Sequence, residues 1–310
     1  MAKEVFFHIG AHKSASTTIQ NNLKRNKRQL VDCVDLVPVL AADYPQSNFF
    51  RFFLDMSDGT VNFHDPAVFE WEVQRAKASF EEIVSNVDSG KSLFFSYEGF
   101  LGYCRLHEYR LLYPHSKFVL QALKEITSGF DVKIVLVVRS QDAYIESCYL
   151  QQIKVGRLLD FSSYFNSLVF DSFSWLRIAD EASGVFGYEN VKVLPFETIR
   201  EIGAFEFIAR IVDFLMGRCM RNIDFDLISK SNESISRKGL QLCLAAYPLL
   251  EDLQDRKDFR AFVFKQFSVE KYGRPNLMSQ EEAKIVMGLC AESNLELFSK
   301  YIPDVAPLYG

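Results

Sequence analysis

The segment HIGAHKSASTTIQ, from His8 to Gln20, places small, hydroxyl and basic residues between an apolar run, VFFHI, and a helical pattern, TTIQNNLKRNKRQL. A strand, a tight turn and a helix N-terminus in this order form a typical site for a phosphate-like anion. Backbone N–H groups of the turn and the positive end of the helix dipole converge there. Lys13 adds a mobile positive charge. The sequence therefore predicts an anion-binding loop after the first strand.

The position of the lysine distinguishes this loop from the ATP-binding Walker A loop, G-x-x-x-x-G-K-[ST]. Counted from Gly10, the last three positions of that pattern hold Ala15, Ser16 and Thr17, and the lysine stands earlier, at Lys13. This register does not fit the usual arrangement of ATP and magnesium. A simpler alternative is a turn in which Ser16 or Thr17 only caps a helix.

Short apolar runs predict the strands that position this loop. They span 5–9, 92–97, 132–138 and 191–196, with a weaker candidate at 34–39. Helical patterns separate them, which predicts an α/β fold with a central parallel sheet covered by helices on both faces. The predicted helices span 17–30, 66–87, 116–127, 141–155, 172–186, 203–216, 236–254 and 280–300. Ligands of such sheets bind beyond the carboxyl ends of the strands.

Composition limits the class of protein. The 310 residues contain 48% hydrophobic and 24% charged residues, which is typical of a globular protein. No linker-like segment divides the chain, so we expect a single domain over 1–310, with an α/β core at 1–220 and a helical extension at 221–310. The net charge of −5 argues against a nucleic-acid partner.

The cysteines and the apolar segments suggest the compartment. Six cysteines are widely separated without a CxxC pair, which predicts neither a metal site nor a disulfide framework. We find no signal-peptide pattern and no apolar run of about 20 residues that would span a membrane. The expected protein is soluble and cytoplasmic, where thiols stay reduced.

The segment HIGAHKSASTTIQNNL resembles the 5′-phosphosulfate loop of sulfotransferases that use 3′-phosphoadenosine 5′-phosphosulfate (PAPS). It is most similar to the bacterial carbohydrate-sulfotransferase-like form, HIGxHKTGTTxIQxxL. Lys13 falls on the lysine of the family, and Ala15 stands where glycine is usual. An alanine would be strained there if the turn requires a positive φ. The hydroxyl positions of the family's loop hold Ser14, Ser16, Thr17 and Thr18. The resemblance implies a three-layer P-loop-type fold and PAPS as the donor, with 3′,5′-ADP as the product.

A second anion site follows the strand KIVLVV. Arg139 ends this strand and Ser147 lies eight residues on, inside the next helix, and Tyr149 follows. This spacing is similar to the one with which the same family binds the 3′-phosphate of the donor. Arginine supplies a bidentate, charge-assisted contact, and the serine adds a hydroxyl. The resemblance thus implies a nucleotide with phosphates at both its 5′ and 3′ ends.

Sulfuryl transfer requires a base for the proton of the acceptor and a cation for the charge that builds on the leaving oxygen. Lys13 is the expected cation, and no metal is required. Glu98, which ends the strand SLFFSY, is the expected base, because the resemblance implies this role for a strand-end glutamate. It could instead cap a loop or pair with Lys13 or Arg139. His12 is the alternative base, and His8 is expected to be a satisfied core histidine.

Other segments leave alternatives open. Arg237, Lys238 and Gly239 resemble an RKG element that contacts the 3′-phosphate in cytosolic sulfotransferases, and Asn232, Ser234 and Ser236 resemble a bacterial N-x-S-x-S stretch. Aromatic residues in the middle of the chain could stack on sugar rings or form core: Phe49, Phe50, Phe52, Phe53 and Trp71.

The resulting hypothesis is a PAPS-dependent sulfotransferase that acts on a hydroxyl of a carbohydrate or glycoconjugate. The alternatives are a P-loop kinase or NTPase and a non-catalytic nucleotide-binding protein of the same fold. The sequence determines neither the acceptor nor the oligomeric state.

Overall fold

The computed structural model describes residues 4–60, 62, 65–217, 224–228 and 234–309. Five parallel strands form one sheet in the order β2-β3-β1-β4-β5. The strands are β1 (Glu4–Gly10), β2 (Leu36–Leu40), β3 (Ser92–Ser96), β4 (Asp131–Val138) and β5 (Val191–Pro195). All five match predicted strands within two residues, including the weaker candidate at 34–39, and the predicted α/β fold is confirmed.

Helices cover both faces of the sheet. They are α1 (Ser16–Arg25), α2 (Lys27–Val34), α3 (Asn48–Asp58), α4 (Pro66–Ser85), α5 (Leu106–Tyr109), α6 (Ser116–Ile126), α7 (Gln141–Lys154), α8 (Phe161–Asn166), α9 (Trp175–Phe186), α10 (Thr198–Met216), α11 (Arg237–Ala246), α12 (Leu253–Gln266), α13 (Val269–Tyr272) and α14 (Gln280–Tyr301). Short 3₁₀ helices lie at Ala41–Asp43, Glu98–Leu101, Phe170–Ser172, Tyr188–Asn190 and Tyr247–Leu249. None of these described helices is long and apolar enough to cross a membrane.

Strand β1 lies at the centre of the sheet, and its side chains alternate between two cores. Phe7 belongs to the larger core, which also contains residues of α3, α4, α6, α7, α9 and α14. Phe6 belongs to the smaller core, with residues of α1, α2 and α10. Because β1 lies between β3 and β4, the loops that follow β1, β3 and β4 meet at one edge of the sheet.

Three predicted helices have different boundaries. The helix predicted at 236–254 is wrong as a single helix, because α11 ends at Ala246 and a 3₁₀ helix at Tyr247–Leu249 separates it from α12. The predicted helix at 17–30 is wrong as a single helix, because it divides at Asn26 into α1 and α2. The Asn26 side chain donates to the carbonyl of Asn22 at 2.9 Å and so competes with the helical pattern. The helix predicted from 203 begins at Thr198, and Gly203 (φ 79°) breaks it internally.

The middle of the chain, where the sequence predicted no element before residue 66, contains helix α3, which is part of the core. Helix α3 begins at its N-cap Ser47 and ends at Gly59, whose φ is 71°. Its phenylalanines are buried and pack against the sheet, with Phe49 and Phe95 ring centroids 5.4 Å apart. Trp71 is instead exposed, and the Arg75 guanidinium lies 4.8 Å from its ring. The core interpretation therefore holds for the four phenylalanines.

A buried amide pair joins α14 to the start of α7. Gln141 and Asn294 exchange two hydrogen bonds, of 2.8 and 3.1 Å, and Gln141 also donates to the carbonyl of Phe173. Both side chains are almost fully buried. Removing one partner therefore leaves a desolvated amide without the two hydrogen bonds of the pair.

We expect Asn294→Leu to lower the free energy of unfolding by about 2–3 kcal/mol, because the buried Oε1 of Gln141 loses its donor. Adding Gln141→Leu should cost less than the sum of the two single losses. Denaturant unfolding measures both values, with the exposed Glu296→Gln of the same helix as control. Strictly additive losses would contradict this account of the pair.

Candidate functional site

The loop between β1 and α1 has the backbone of an anion cradle. Lys13 and Ala15 both have left-handed conformations, with φ of 62° and 64°. Ala15 occupies the N-cap position of α1, no side chain caps the helix, and its first turn holds no acidic residue. The alternative in which Ser16 or Thr17 is the cap is therefore wrong. Within the described residues, the N–H groups of Lys13, Ser14, Ala15 and Ser16 have no protein acceptor. These donors are available to an anion.

Lys13 carries its charge toward α7. Its Nζ donates to Gln151 Oε1 at 3.1 Å, and in the described part of the chain it forms no ion pair. Gln151 lies one helical turn beyond Ser147, so the two side chains project from the same face of α7. The Ser147 hydroxyl is half-buried and has no partner among the described residues. Lys13 and Ser147 therefore lie beside the same face of α7.

Arg139 links the two predicted anion sites. Its Nη1 donates to the carbonyl of Lys13 at 2.9 Å, and its guanidinium lies 4.9 Å from the ring of Phe196. The Nε atom is buried and has no partner within the described residues. Burial lowers the pKa of Arg139, while the nearby carboxylate of Glu197 acts in the opposite direction. An arginine remains charged nonetheless, so this donor is oriented and unsatisfied.

The backbone around Arg139 is fixed on several sides. Trp175 Nε1 donates to the Arg139 carbonyl at 2.7 Å, and the N–H of Ser140 donates to Glu197 Oε1 at 3.2 Å. The buried Tyr309 hydroxyl contacts the other oxygen of Glu197 and lies 3.3 Å from the carbonyl of Val138. Glu197 thus has a structural role.

Glu98 follows the end of β3, on the other side of β1 from Arg139. Gln20 Nε2 donates to Glu98 Oε2 at 2.6 Å and lies 3.3 Å from the carbonyl of Ser96. Among the described residues Glu98 forms no ion pair with Lys13 or Arg139, so the expected alternative of such a pair is wrong. Gln20 donates to Glu98 Oε2, and Glu98 Oε1 accepts no hydrogen bond from the residues that the structure describes.

Two histidines flank Glu98, and both are neutral at neutral pH. Burial lowers the pKa of His12 to about 4, against the opposing effect of Glu98, and does the same for His8. His12 is tied to Tyr113, whose hydroxyl lies 3.2 Å from Nδ1. His8 Nδ1 lies 2.9 Å from Ser96 Oγ, but His8 Nε2 is buried without a partner within the described residues. His8 is therefore only half satisfied, contrary to expectation.

The basic segment at the start of α11 has a structural role. Ser236 caps α11 by accepting the N–H of Gly239 at 2.9 Å, and the N–H of Arg237 donates to the carbonyl of Gly273. The Arg237 and Lys238 side chains are exposed. Asn232, the first residue of the N-x-S-x-S resemblance, lies outside the described residues. No contact of its described residues, from 234 onward, assigns this segment to the site.

The sequence analysis did not identify several residues that support the site. They are Gln20, Tyr113, Gln151, Trp175 and Tyr309. The first four contact a predicted site residue at least 36 positions away, and Tyr309 contacts Glu197 and Val138 beside Arg139. Only Gln20 belongs to the motif after β1. In the described ranges no group of His, Cys, Asp or Glu side chains is arranged to hold a metal ion.

Comparison with solved structures found a likeness to a sulfotransferase from Alicyclobacillus acidocaldarius. The TM-score is 0.44 and the sequence identity 14%, over 85% of this chain and 96% of the other. No protein-family model matches the chain, and neither does any curated protein sequence. So distant a likeness carries no information about the site, and function follows from the contacts of the chain's own residues.

The strain at Ala15 gives a prediction. Replacing a left-handed alanine at an N-cap by glycine removes the steric penalty, so we expect Ala15→Gly to raise the free energy of unfolding by about 0.5–1 kcal/mol. The matched control is the reverse substitution, Gly59→Ala. Gly59 has the same left-handed conformation, and a Cβ added there would meet open space. This substitution should destabilise by a similar amount.

Denaturant unfolding of the two variants checks this prediction. If both Ala15→Gly and Gly59→Ala lower the free energy of unfolding, the backbone at Ala15 holds no strain.

Proposed function

We propose that this protein is a sulfotransferase that moves a sulfuryl group from PAPS to a hydroxyl of an acceptor, with a carbohydrate or glycoconjugate as the acceptor class. The observation that carries the proposal is the pair of adjacent anion-binding points that Arg139 connects. One is the amide-rich loop around Lys13, and the other is the unsatisfied face of Arg139 with Ser147. A nucleotide with phosphates at both ends satisfies both.

Hydrogen-bond donors at the loop and around Arg139 fit such a nucleotide. The loop amides and Lys13 would hold the 5′-phosphosulfate, together with the hydroxyls of Ser14, Ser16, Thr17 and Thr18. The buried Nε of Arg139 and the hydroxyl of Ser147 would hold the 3′-phosphate. A buried donor without a partner is costly, so a ligand that supplies the acceptor is favoured. A Walker-type kinase or NTPase fits less well, because its lysine would stand later in the loop.

The proposed chemistry uses two side chains. When bound, PAPS supplies the sulfuryl group. Lys13 stabilises the negative charge on the leaving oxygen, since no carboxylate neutralises this lysine in the described residues. Glu98 takes the proton of the acceptor hydroxyl through the oxygen that Gln20 does not hold. No metal is needed for either role.

The proposal extends to the whole chain as one cytoplasmic domain. Contacts of the helical extension reach the core at several points: Tyr309 lies on Glu197, and Glu146 accepts the N–H groups of Leu277 and Met278, both at 2.8 Å. The described cysteines are free thiols, which suits a reducing compartment.

Arg139→Ala tests the 3′-phosphate site. Calorimetry with 3′,5′-ADP and with 5′-AMP should show that wild-type protein prefers 3′,5′-ADP and that the variant loses this preference. The exposed Arg28→Ala is the charge-matched control. An equal loss of affinity for both ligands would mean that Arg139 only holds the loop at Lys13.

Lys13→Ala should reduce turnover far more than it weakens 3′,5′-ADP binding.

Glu98→Gln tests the base. The amide can keep the contact with Gln20 while losing the proton acceptor, so turnover with PAPS and an acceptor from a carbohydrate panel should fall about 100- to 10,000-fold. Affinity for 3′,5′-ADP should stay unchanged, as should the turnover of Glu108→Gln, a control for surface charge. A near-normal rate for Glu98→Gln would refute the assignment. If 3′,5′-ADP binds but no acceptor is sulfated, the non-catalytic alternative is favoured.

A further inference from the structure

His12 is held by two contacts to one hydroxyl group. Its main-chain N–H donates to Tyr113 Oη at 3.0 Å, and its Nδ1 lies 3.2 Å from the same atom. Tyr144 Oη lies 3.1 Å from Tyr113 Oη on the other side. Tyr113 and Tyr144 are both buried. The ring of His12 therefore has one fixed nitrogen, and its Nε2 has no hydrogen-bond partner among the described residues.

The direction of these hydrogen bonds follows from counting protons. Each tyrosine hydroxyl has one proton to donate. Among the described residues, Tyr113 Oη is the only nitrogen or oxygen within reach of the Tyr144 hydroxyl, and the neighbouring Cys148 thiol is a weak acceptor. Because a buried O–H without an acceptor is costly, Tyr144 donates to Tyr113. The oxygen of Tyr113 then accepts from Tyr144 and from the His12 N–H, and its own proton goes to His12 Nδ1.

A neutral imidazole that accepts at Nδ1 carries its proton at Nε2. We propose that His12 is a neutral hydrogen-bond donor, through Nε2–H, to an anionic oxygen of the transferring group, and that it is not the base. This inference rests on the proposed function and deepens it, because it leaves Glu98 as the proton acceptor. An N–H aimed at developing negative charge stabilises the transition state without any transfer of its proton.

The surroundings keep this ring neutral. Glu98, Lys13 and His8 are the charged or titratable groups that act on it, and Tyr103 packs beside it with ring centroids 5.8 Å apart. Burial and Lys13 disfavour the imidazolium, and Glu98 only partly offsets them, so the pKa of His12 lies at about 4. The donor form therefore persists across the physiological pH range.

Nitrogen-15 NMR of the whole protein with labelled histidine reads the tautomer directly, without substrate. We expect His12 to show a protonated Nε2 and an unprotonated Nδ1 at pH 7, and Tyr113→Phe to shift it toward a mixture of tautomers. A protonated Nδ1 in the wild-type protein would overturn the inference, whatever the activity.

Two conservative variants test the donor in turnover. The amide of glutamine reaches the position of Nε2–H, and the shorter asparagine reaches only that of Nδ1. We expect His12→Gln to retain turnover within about tenfold of wild type and His12→Asn to lose about 100-fold or more, the usual effect of removing one such donor, with 3′,5′-ADP affinity unchanged in both. Equal activities of the two variants would overturn the donor role. Wild-type protein that never turns over PAPS would instead overturn the proposed function, and the NMR result would still decide the tautomer.

Discussion

The hydrogen bond from Arg139 Nη1 to the carbonyl of Lys13 is the contact on which the site depends. It joins the ends of two adjacent parallel strands, β1 and β4. These strands flank the topological switch point, where the strand order of the sheet reverses. It connects the guanidinium to the left-handed Lys13, while Arg139 Nε is buried and has no partner among the described residues. A single arginine thus ties an amide-lined loop to the second anion-binding point that we propose.

The elements around this contact act as supports rather than as ligands. Trp175 and Tyr309 hold the main chain on either side of Arg139, and Gln20 holds Glu98 from the first turns of α1. Gln151 directs Lys13 toward α7. Orientation by such buried polar contacts lowers the cost of ordering the charged groups when a ligand binds.

Sequence patterns predicted the sheet and most helices, because apolar strands buried on both faces have a distinct signal. The residues of the anion loop were recognisable because their order along the chain is itself the motif. Helix α3 was missed because its run of phenylalanines carries little polar contrast, although Ser47 and Gly59 mark its ends. The residues that support the site could not be predicted, since Trp175 reaches Arg139, and Tyr309 reaches Val138 and Glu197, only through tertiary packing. The cap at Ala15 also needed the structure, because a backbone conformation decides it.

A crystal structure of the protein with 3′,5′-ADP would show whether Arg139 connects two phosphate sites. We expect the 5′-phosphate on the N–H groups of residues 13–16, and the 3′-phosphate on Arg139 Nε and the Ser147 hydroxyl, with the hydrogen bond from Arg139 to the Lys13 carbonyl intact. A complex in which the 3′-phosphate lies in solvent and Arg139 contacts only the loop would contradict this expectation.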